Sequence, residues 1–234
     1  MADAENMAAV ERLGVDIIGM VFYPKSPRYV KMIKSRAGNI PDYSSERLNQ
    51  LRNTLGKDLP TPQESQEKHT PRAGVFVDEM PQNIITCVYN YQLDYIQLHG
   101  NESRIACENL KRTIDPDIHK GIRIIKAISV AEAADIDRWH EYDGAVDMLL
   151  FDTRCKSKGG SGNRFDWTLL DHYNGNIPFL LSGGIGPGDE ERILSFRHPQ
   201  FAGIDLNSRF ETEPGIKDTT LLSSFINNIR HEQD

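Results

Sequence analysis

Asp16-Ile-Ile-Gly-Met-Val-Phe22 runs straight into Tyr23-Pro-Lys-Ser-Pro-Arg-Tyr-Val30, and this junction decides the fold. The first piece is a near-continuous apolar run, the pattern of a strand buried on both faces of a parallel sheet. The piece after it is a stiff basic loop bracketed by two prolines. A doubly wound sheet usually follows its first strand with a Gly-rich turn instead. The piece before it, residues 3–14, places Met7, Val10 and Leu13 on one helical stripe. A helix therefore precedes the first visible strand.

Working outward, similar runs recur at Ala73-Gly-Val-Phe-Val77, Tyr95-Ile-Gln-Leu98, Arg123-Ile-Ile-Lys-Ala-Ile128, Met148-Leu-Leu-Phe151, Pro178-Phe-Leu-Leu181 and Gly203-Ile-Asp-Leu206. Helical patterns lie between them at 44–55, 81–91, 102–113, 130–142, 166–173, 187–197 and 219–230. Ser129, with Glu132 three residues on, predicts a capping box for a helix starting at Val130. Pro81 and Pro187 stand near helix starts, where proline is tolerated. Strand–helix alternation of this kind implies an α/β protein with a parallel sheet. A helix followed by seven strand–helix units fits a (β/α)8 TIM barrel lacking its first strand better than a doubly wound sheet. Residues 1–234 read as one barrel domain, and 56–72 as a polar insertion on its bottom face.

Composition narrows the function classes. The chain has 234 residues, 38% hydrophobic and 26% charged, with a formal net charge of −7. That balance is ordinary for a globular protein and argues against a nucleic-acid partner, which usually meets a basic excess. No apolar run approaches the roughly 18 residues of a membrane helix, and the N-terminus carries no secretion signal. Three cysteines, Cys87, Cys107 and Cys155, fit neither a zinc pattern nor a disulfide scaffold, so the expected setting is cytoplasmic and no metal is expected.

Catalytic groups of a barrel come from the C-terminal ends of its strands. Arg28 follows the first visible strand and suits a carboxylate or phosphate, because a guanidinium can bind either bidentately. A surface loop with solvated charges is the competing reading. His99 follows Leu98 and reads either as a site residue or as a satisfied core histidine. Asp152 follows Phe151 directly and precedes the flexible Gly159-Gly-Ser-Gly162, an arrangement that suits a general acid or base under a closing loop. Its competing reading is an Asp bonded to nearby backbone amides. Gly183 and Gly184 let backbone N–H groups approach an anion, and the helix after Pro187 could add its positive end. Asn207, Ser208 and Arg209 follow the last strand. Phosphate sites in barrels often use the loops after strands seven and eight.

Taken together these motifs resemble the phosphoribosylanthranilate isomerase family of tryptophan biosynthesis. The most specific match is Gly19-Met-Val-Phe-Tyr-Pro-Lys-Ser-Pro-Arg-Tyr-Val30. Gln97-Leu-His-Gly100, Phe151-Asp152 with Phe165-Asp-Trp167, Leu181-Ser-Gly-Gly-Ile185, Gly203-Ile-Asp-Leu-Asn-Ser208 and Pro214-Gly-Ile-Lys-Asp218 follow in order.

The resemblance implies an Amadori rearrangement of N-(5′-phosphoribosyl)anthranilate without cofactor or metal. It assigns the general acid to Asp152 and the anthranilate carboxylate to Arg28, with His99 as a substrate-binding residue. The phosphate falls to Gly183, Gly184, Asn207 and Ser208. An acid that serves at neutral pH needs surroundings that disfavour its charge, which an apolar anthranilate ring could supply. Arg209 stands where the family usually has glycine, and either contacts the phosphate or points to solvent. The family's general base is a cysteine in a Lys-x-Cys-Gly-Met motif, and Met1 aligns with the residue after that Gly. Cys87 and Cys107 are expected to pack within helices, and Cys155 is a poor stand-in for the base. Expected partners are the small phosphoribosyl substrate and, for the assembly, a monomer or homodimer. A non-catalytic phosphate-binding barrel and another phosphosugar barrel enzyme are the alternatives.

Overall fold

The computed structural model describes residues 1, 3–30, 70–153 and 167–231. The predicted helix at 44–55, most of the 56–72 insertion, Cys155 and the 159–162 glycine run lie outside them. Seven strands form one sheet in chain order: β1 (Ile18–Val21), β2 (Arg72–Phe76), β3 (Tyr95–Leu98), β4 (Arg123–Val130), β5 (Met148–Thr153), β6 (Phe179–Ser182) and β7 (Phe201–Ile204). Every neighbouring pair is parallel. The described helices are α1 (Ala4–Glu11), α2 (Pro81–Tyr91), α3 (Arg104–Ile114), α4 (Ala133–Ile136), α5 (Glu190–Ser195) and α6 (Thr219–His231). A short hairpin, β8 (Glu211–Glu213) with β9 (Ile216–Lys217), lies between β7 and α6. This is the α/β, barrel-type architecture expected from the strand–helix alternation.

Period-two alternation sorts the strand residues into two layers. Ala73, Tyr95, Ile125, Ala127 and Leu150 form a small inner cluster, joined by Ile17, Met148 and Leu180. Their neighbours along each strand, among them Phe76, Ile96, Leu98, Ile124, Ile128, Leu149, Phe151, Phe179 and Leu181, join the larger cluster that packs against the helices. Phe151, Tyr173 and Phe179 meet edge to face at 5.2–5.4 Å between ring centroids, within the favourable range for aromatic pairs.

Three helical expectations change. Ser129 does not cap a helix at Val130, because both residues continue β4 and pair with Asp152 and Thr153 of β5. The capping box forms further on, between Glu132 and Asp135, and opens the single turn of α4. A 3₁₀ segment, Asp137–Tyr142, completes that connection, and a second one, Trp167–His172, replaces the helix predicted at 166–173. The helix predicted at 187–197 shortens to α5, since Gly188 takes a φ of 90°, outside the helical region, and Phe196 is already extended at the other end.

One outward-facing residue of β4 is charged. Lys126 is 1% exposed. Its ammonium donates to the Leu98 carbonyl at 3.2 Å, the Gly100 carbonyl at 2.7 Å and Glu102 Oε2 at 2.9 Å. Glu102 in turn accepts from the Gly100 and Asp78 amides. Every strong group in this cluster has a partner, as a buried charge requires.

The sheet ends at β1 and β7, which do not pair among the described residues. Side chains cross that seam. The Asn6 amide and the Lys217 backbone exchange two hydrogen bonds of 2.8 Å. Arg230 donates to the Gly14 carbonyl at 2.8 Å. Arg28 grips Glu211 with Nε at 2.9 Å from both carboxylate oxygens and Nη2 at 2.6 Å from Oε2. Burial opposes the charge of Glu211, but the Arg28 hydrogen bonds, the Lys217 and Arg28 charges and the Gly215 amide outweigh it and hold its carboxyl below the ordinary 4.5.

Two outcomes are expected from these contacts. Lys126→Met strands the Glu102 carboxylate and destabilises the fold by roughly 3–5 kcal/mol, whereas adding Glu102→Gln recovers part of that loss. Urea unfolding of both variants checks this, and an equal loss in the two would refute it. A carboxyl held below its unfolded value contributes stability that is complete above about pH 4.5 and is lost as pH falls through the folded value. Glu211→Gln should therefore lower the melting temperature at neutral pH, and the gap from wild type should close under acid. A gap that is constant down to strong acid would show that the charge of Glu211 is not what stabilises.

Candidate active site

The C-terminal ends of β5, β6 and β7 converge on one cavity. Parallel register sets Asp152 of β5 level with Ser129 of β4 on one side and Ser182 of β6 on the other. Asp205, just past β7, is tied to the same level: its amide donates to the Leu181 carbonyl at 2.7 Å, and its carboxylate accepts the Ser182 hydroxyl at 2.8 Å. A cavity of about 150 Å³ lies between these residues, walled by Asp152, Ser182, Gly183, Gly184, Ile185, Asp205, Asn207 and Ser208. Five of the expected site positions, Asp152, Gly183, Gly184, Asn207 and Ser208, thus share one cavity.

His99 joins this site through Asp152. Its Nε2 lies 3.2 Å from Asp152 Oδ2, and the Gln97 amide nitrogen lies 3.2 Å from its Nδ1. Gln97 and His99 are two residues apart on one strand and so share a face. A Gln97 amide that donates to Nδ1 is compatible with an Nε2–H donated to the carboxylate, the roles being set by the imidazole tautomer. His99 is therefore a hydrogen-bonded neighbour of Asp152 and not an isolated core histidine. The next residue is glycine for steric reasons: a Cβ at Gly100 would stand 2.7 Å from the Asp78 backbone nitrogen.

Gly183 and Gly184 have φ of 94° and 72°, a left-handed pair that side-chain-bearing residues rarely adopt. Open space surrounds a Cβ built at Gly184, so the demand there is for backbone conformation and not for room. Successive amides in such a turn form a concavity suited to an anion. Opposite it, Asn207 and Ser208 enter a 3₁₀ turn, Ser208–Phe210, whose first N–H groups point out of its start. The helix after Pro187 adds little positive field, because α5 opens with Glu190 and Glu191 and is preceded by Asp189. Arg209 is exposed and outside the cavity wall, its side-chain stem against Gly186.

Arg28 stands at the seam, bound to Glu211, which also meets Lys217 Nζ at 3.4 Å. Burial lowers the Lys217 ammonium from its ordinary value, an effect that Glu211 and Asp205 oppose. The Glu211 hydrogen bond raises Arg28 further. Cys87 and Cys107 are buried in α2 and α3, and burial pushes both thiols up to about 11. They pack, as expected from their helical positions, and are not activated nucleophiles.

Sequence reasoning missed Gln97, Ser182, Asp205, Glu211 and Lys217. Gln97 carried a usable signal, being a polar residue in phase with His99 in an otherwise apolar strand. Glu211 and Lys217 carried none by spacing, since their meeting depends on the β8–β9 hairpin turning at Pro214 and Gly215. Among the described residues, no helix is long and apolar enough to cross a membrane.

Comparison with known proteins agrees with this geometry. Residues 43–228 match the family described as N-(5′-phosphoribosyl)anthranilate (PRA) isomerase. A protein of that name from Parabacteroides distasonis is 41% identical, over 99% of this chain and 91% of its own length. Its namesake from Phocaeicola vulgatus is 38% identical, over 99% and 96%. Among solved structures, phosphoribosyl anthranilate isomerase from Thermotoga maritima superposes with a TM-score of 0.69 at 29% identity, covering 99% of this chain and 96% of its own. A phosphoribosyl anthranilate isomerase bound to reduced 1-(o-carboxyphenylamino)-1-deoxyribulose 5-phosphate superposes with a TM-score of 0.67 at 28% identity, covering 99% and 95%. A matched span of that length, with relatives this similar end to end, settles the question: the chain belongs to the N-(5′-phosphoribosyl)anthranilate isomerase family.

Proposed function

We propose that this protein carries out the isomerisation for which its relatives are named, converting N-(5′-phosphoribosyl)anthranilate to 1-(2-carboxyphenylamino)-1-deoxyribulose 5-phosphate in tryptophan biosynthesis. The observation that carries this reading is the placement of Asp152 in the wall of a cavity whose other side is the Gly183-Gly184 and Asn207-Ser208 turns. A proton donor and an anion cradle a few ångströms apart suit a phosphosugar held by its phosphate with its ring oxygen near the acid.

His99 meets Oδ2 of Asp152, and Oδ1, without a hydrogen bond among the described residues, is the oxygen available to the ligand. Protonation of the ribose ring oxygen by Asp152 lets the C1′–O bond break as the anthranilate nitrogen donates its lone pair, giving the open-chain Schiff base and a C4′ hydroxyl. Removal of the C2′ proton then gives an enolamine, which tautomerises to the ketone. Both stages are proton transfers, so the reaction calls for neither cofactor nor metal. In the family the C2′ proton goes to the cysteine of the Lys-x-Cys-Gly-Met motif, which is none of Cys87, Cys107 or Cys155. Arg28 faces the anthranilate carboxylate, and Gly183, Gly184, Asn207 and Ser208 serve the phosphate, while Arg209, outside the cavity wall, takes the solvent-facing alternative. The reading places the enzyme in the cytoplasm, as a monomer or homodimer; the Thermotoga maritima relative is described as dimeric.

A second reading, a barrel that binds the phosphate ligand without turnover, keeps the cavity and the seam arginine. It is favoured by the burial of Cys87 and Cys107 away from the cavity. Binding of the reduced product analogue with no isomerisation, even after a strand ending in Lys-x-Cys-Gly is joined ahead of Met1, would select it.

In the chain so extended, Asp152→Asn should cut kcat at least about 100-fold and leave substrate affinity largely intact. An unchanged kcat would remove Asp152 from the mechanism. Arg28→Ala should weaken the reduced product analogue by about 1–3 kcal/mol in calorimetric titration. Inorganic phosphate should compete for Gly183, Gly184 and Ser208 and not for Arg28, which amide chemical shifts would report. Phosphate-induced shifts confined to other surfaces would refute the assigned cradle.

A further inference from the structure

The seam touches the proposed site at both of its anion-binding ends. Glu211 opens β8, immediately after the turn that carries Asn207 and Ser208. One carboxylate there serves two cations: it holds the Nε–Nη2 edge of Arg28, and it meets Lys217. Lys217 Nζ turns its remaining protons to the Leu206 carbonyl at 3.1 Å, the Asn207 carbonyl at 3.0 Å and Asn207 Oδ1 at 3.1 Å. The side chains of Glu211 and Lys217 are 4% and 9% exposed, whereas that of Arg28 is 23% exposed. The clamp and the brace are therefore buried, and Arg28 keeps an open edge, with no hydrogen bond to Nη1 among the described residues.

A free arginine loses side-chain freedom when it captures an anion, and a guanidinium already gripped along one edge loses less. We propose that Glu211 is a positioning residue that presets Arg28 for the carboxylate of the ligand and, through Lys217, holds Asn207 of the phosphate turn, so that the two anion subsites are arranged as one unit. The inference rests on the assignment of Arg28 to the ligand carboxylate given above. A purely electrostatic view predicts the opposite sign for the loss of Glu211. Removing an anion from between two cations should tighten the binding of any anionic ligand.

The test is calorimetric titration of the whole chain with reduced 1-(o-carboxyphenylamino)-1-deoxyribulose 5-phosphate and with its phenylamino counterpart lacking the carboxylate. Glu211→Gln should weaken the carboxylated ligand about tenfold or more, despite the gain in positive charge, and the decarboxylated ligand by less. Arg28→Ala should weaken only the carboxylated ligand, and should cost much less when added to Glu211→Gln than to wild type.

In Arg28→Ala alone, added guanidinium ion should restore affinity for the carboxylated ligand more than an equal concentration of ammonium, because Glu211 accepts along a fork; Glu211→Gln should abolish that rescue. This arm decides the matter if Glu211→Gln by itself melts without cooperativity. Unchanged or tighter binding in a cooperatively melting Glu211→Gln, independent effects of the two substitutions, or no guanidinium rescue would each overturn the proposal. An Arg28→Ala variant that fails to distinguish the two ligands would instead overturn the assignment of Arg28 itself, and the proposal with it.

Discussion

A parallel sheet whose first and last strands do not pair must hold its two edges together by other means, and here, among the described residues, that work falls to side chains crossing between the segments that flank β1 and those that follow β7. Among the described residues, Asn6 on the Lys217 backbone, Arg230 on the loop before β1, and Arg28 on Glu211 do so. The last is the strongest in kind, since a carboxylate meets a guanidinium along its edge with little solvent to screen it. Open strand edges otherwise expose unpaired backbone groups. On the outer edge of β1, the Met1 nitrogen takes the Gly19 carbonyl and the Val30 amide takes that of Val21.

The arrangement of the site follows from alternation and register. Because side chains switch face at every residue, Gln97 and His99 share one face, and Asp152 falls level with Ser182 on the same side. A one-residue slip in β5 would send Asp152 among the helices and Phe151 into the cavity. The outer layer supports this indirectly. Lys126, pointing toward the helices, pins the Leu98 and Gly100 carbonyls on either side of His99, and so fixes the backbone from which that imidazole reaches Asp152.

Much of this was legible in the chain. Seven apolar runs announced the seven strands, because strands buried on both faces need little besides apolar residues. Asp152, the Gly183-Gly184 turn and Asn207-Ser208 announced themselves as polar or flexible residues directly after such runs. The helical stretches at 130–142, 166–173 and 187–197 were less legible. Helical periodicity is satisfied equally by short helices, 3₁₀ turns and strand extensions, and sheet pairing at Ser129 and Val130 overrode the local capping signal.

What the sequence by itself determined is therefore the order of elements, the parallel sheet and five positions of the cavity wall, Asp152, Gly183, Gly184, Asn207 and Ser208, since each follows from apolar patterning or from residues adjacent to a strand end. What only the tertiary structure decided is which side chains meet across the fold: His99 with Asp152, Ser182 with Asp205, Lys126 with Glu102, and Arg28 with Glu211. The last pair lies 183 residues apart in sequence. No local propensity encodes such a pair, because it forms when sheet curvature brings the first and last strands to one seam and burial makes an unpartnered charge too costly to leave there.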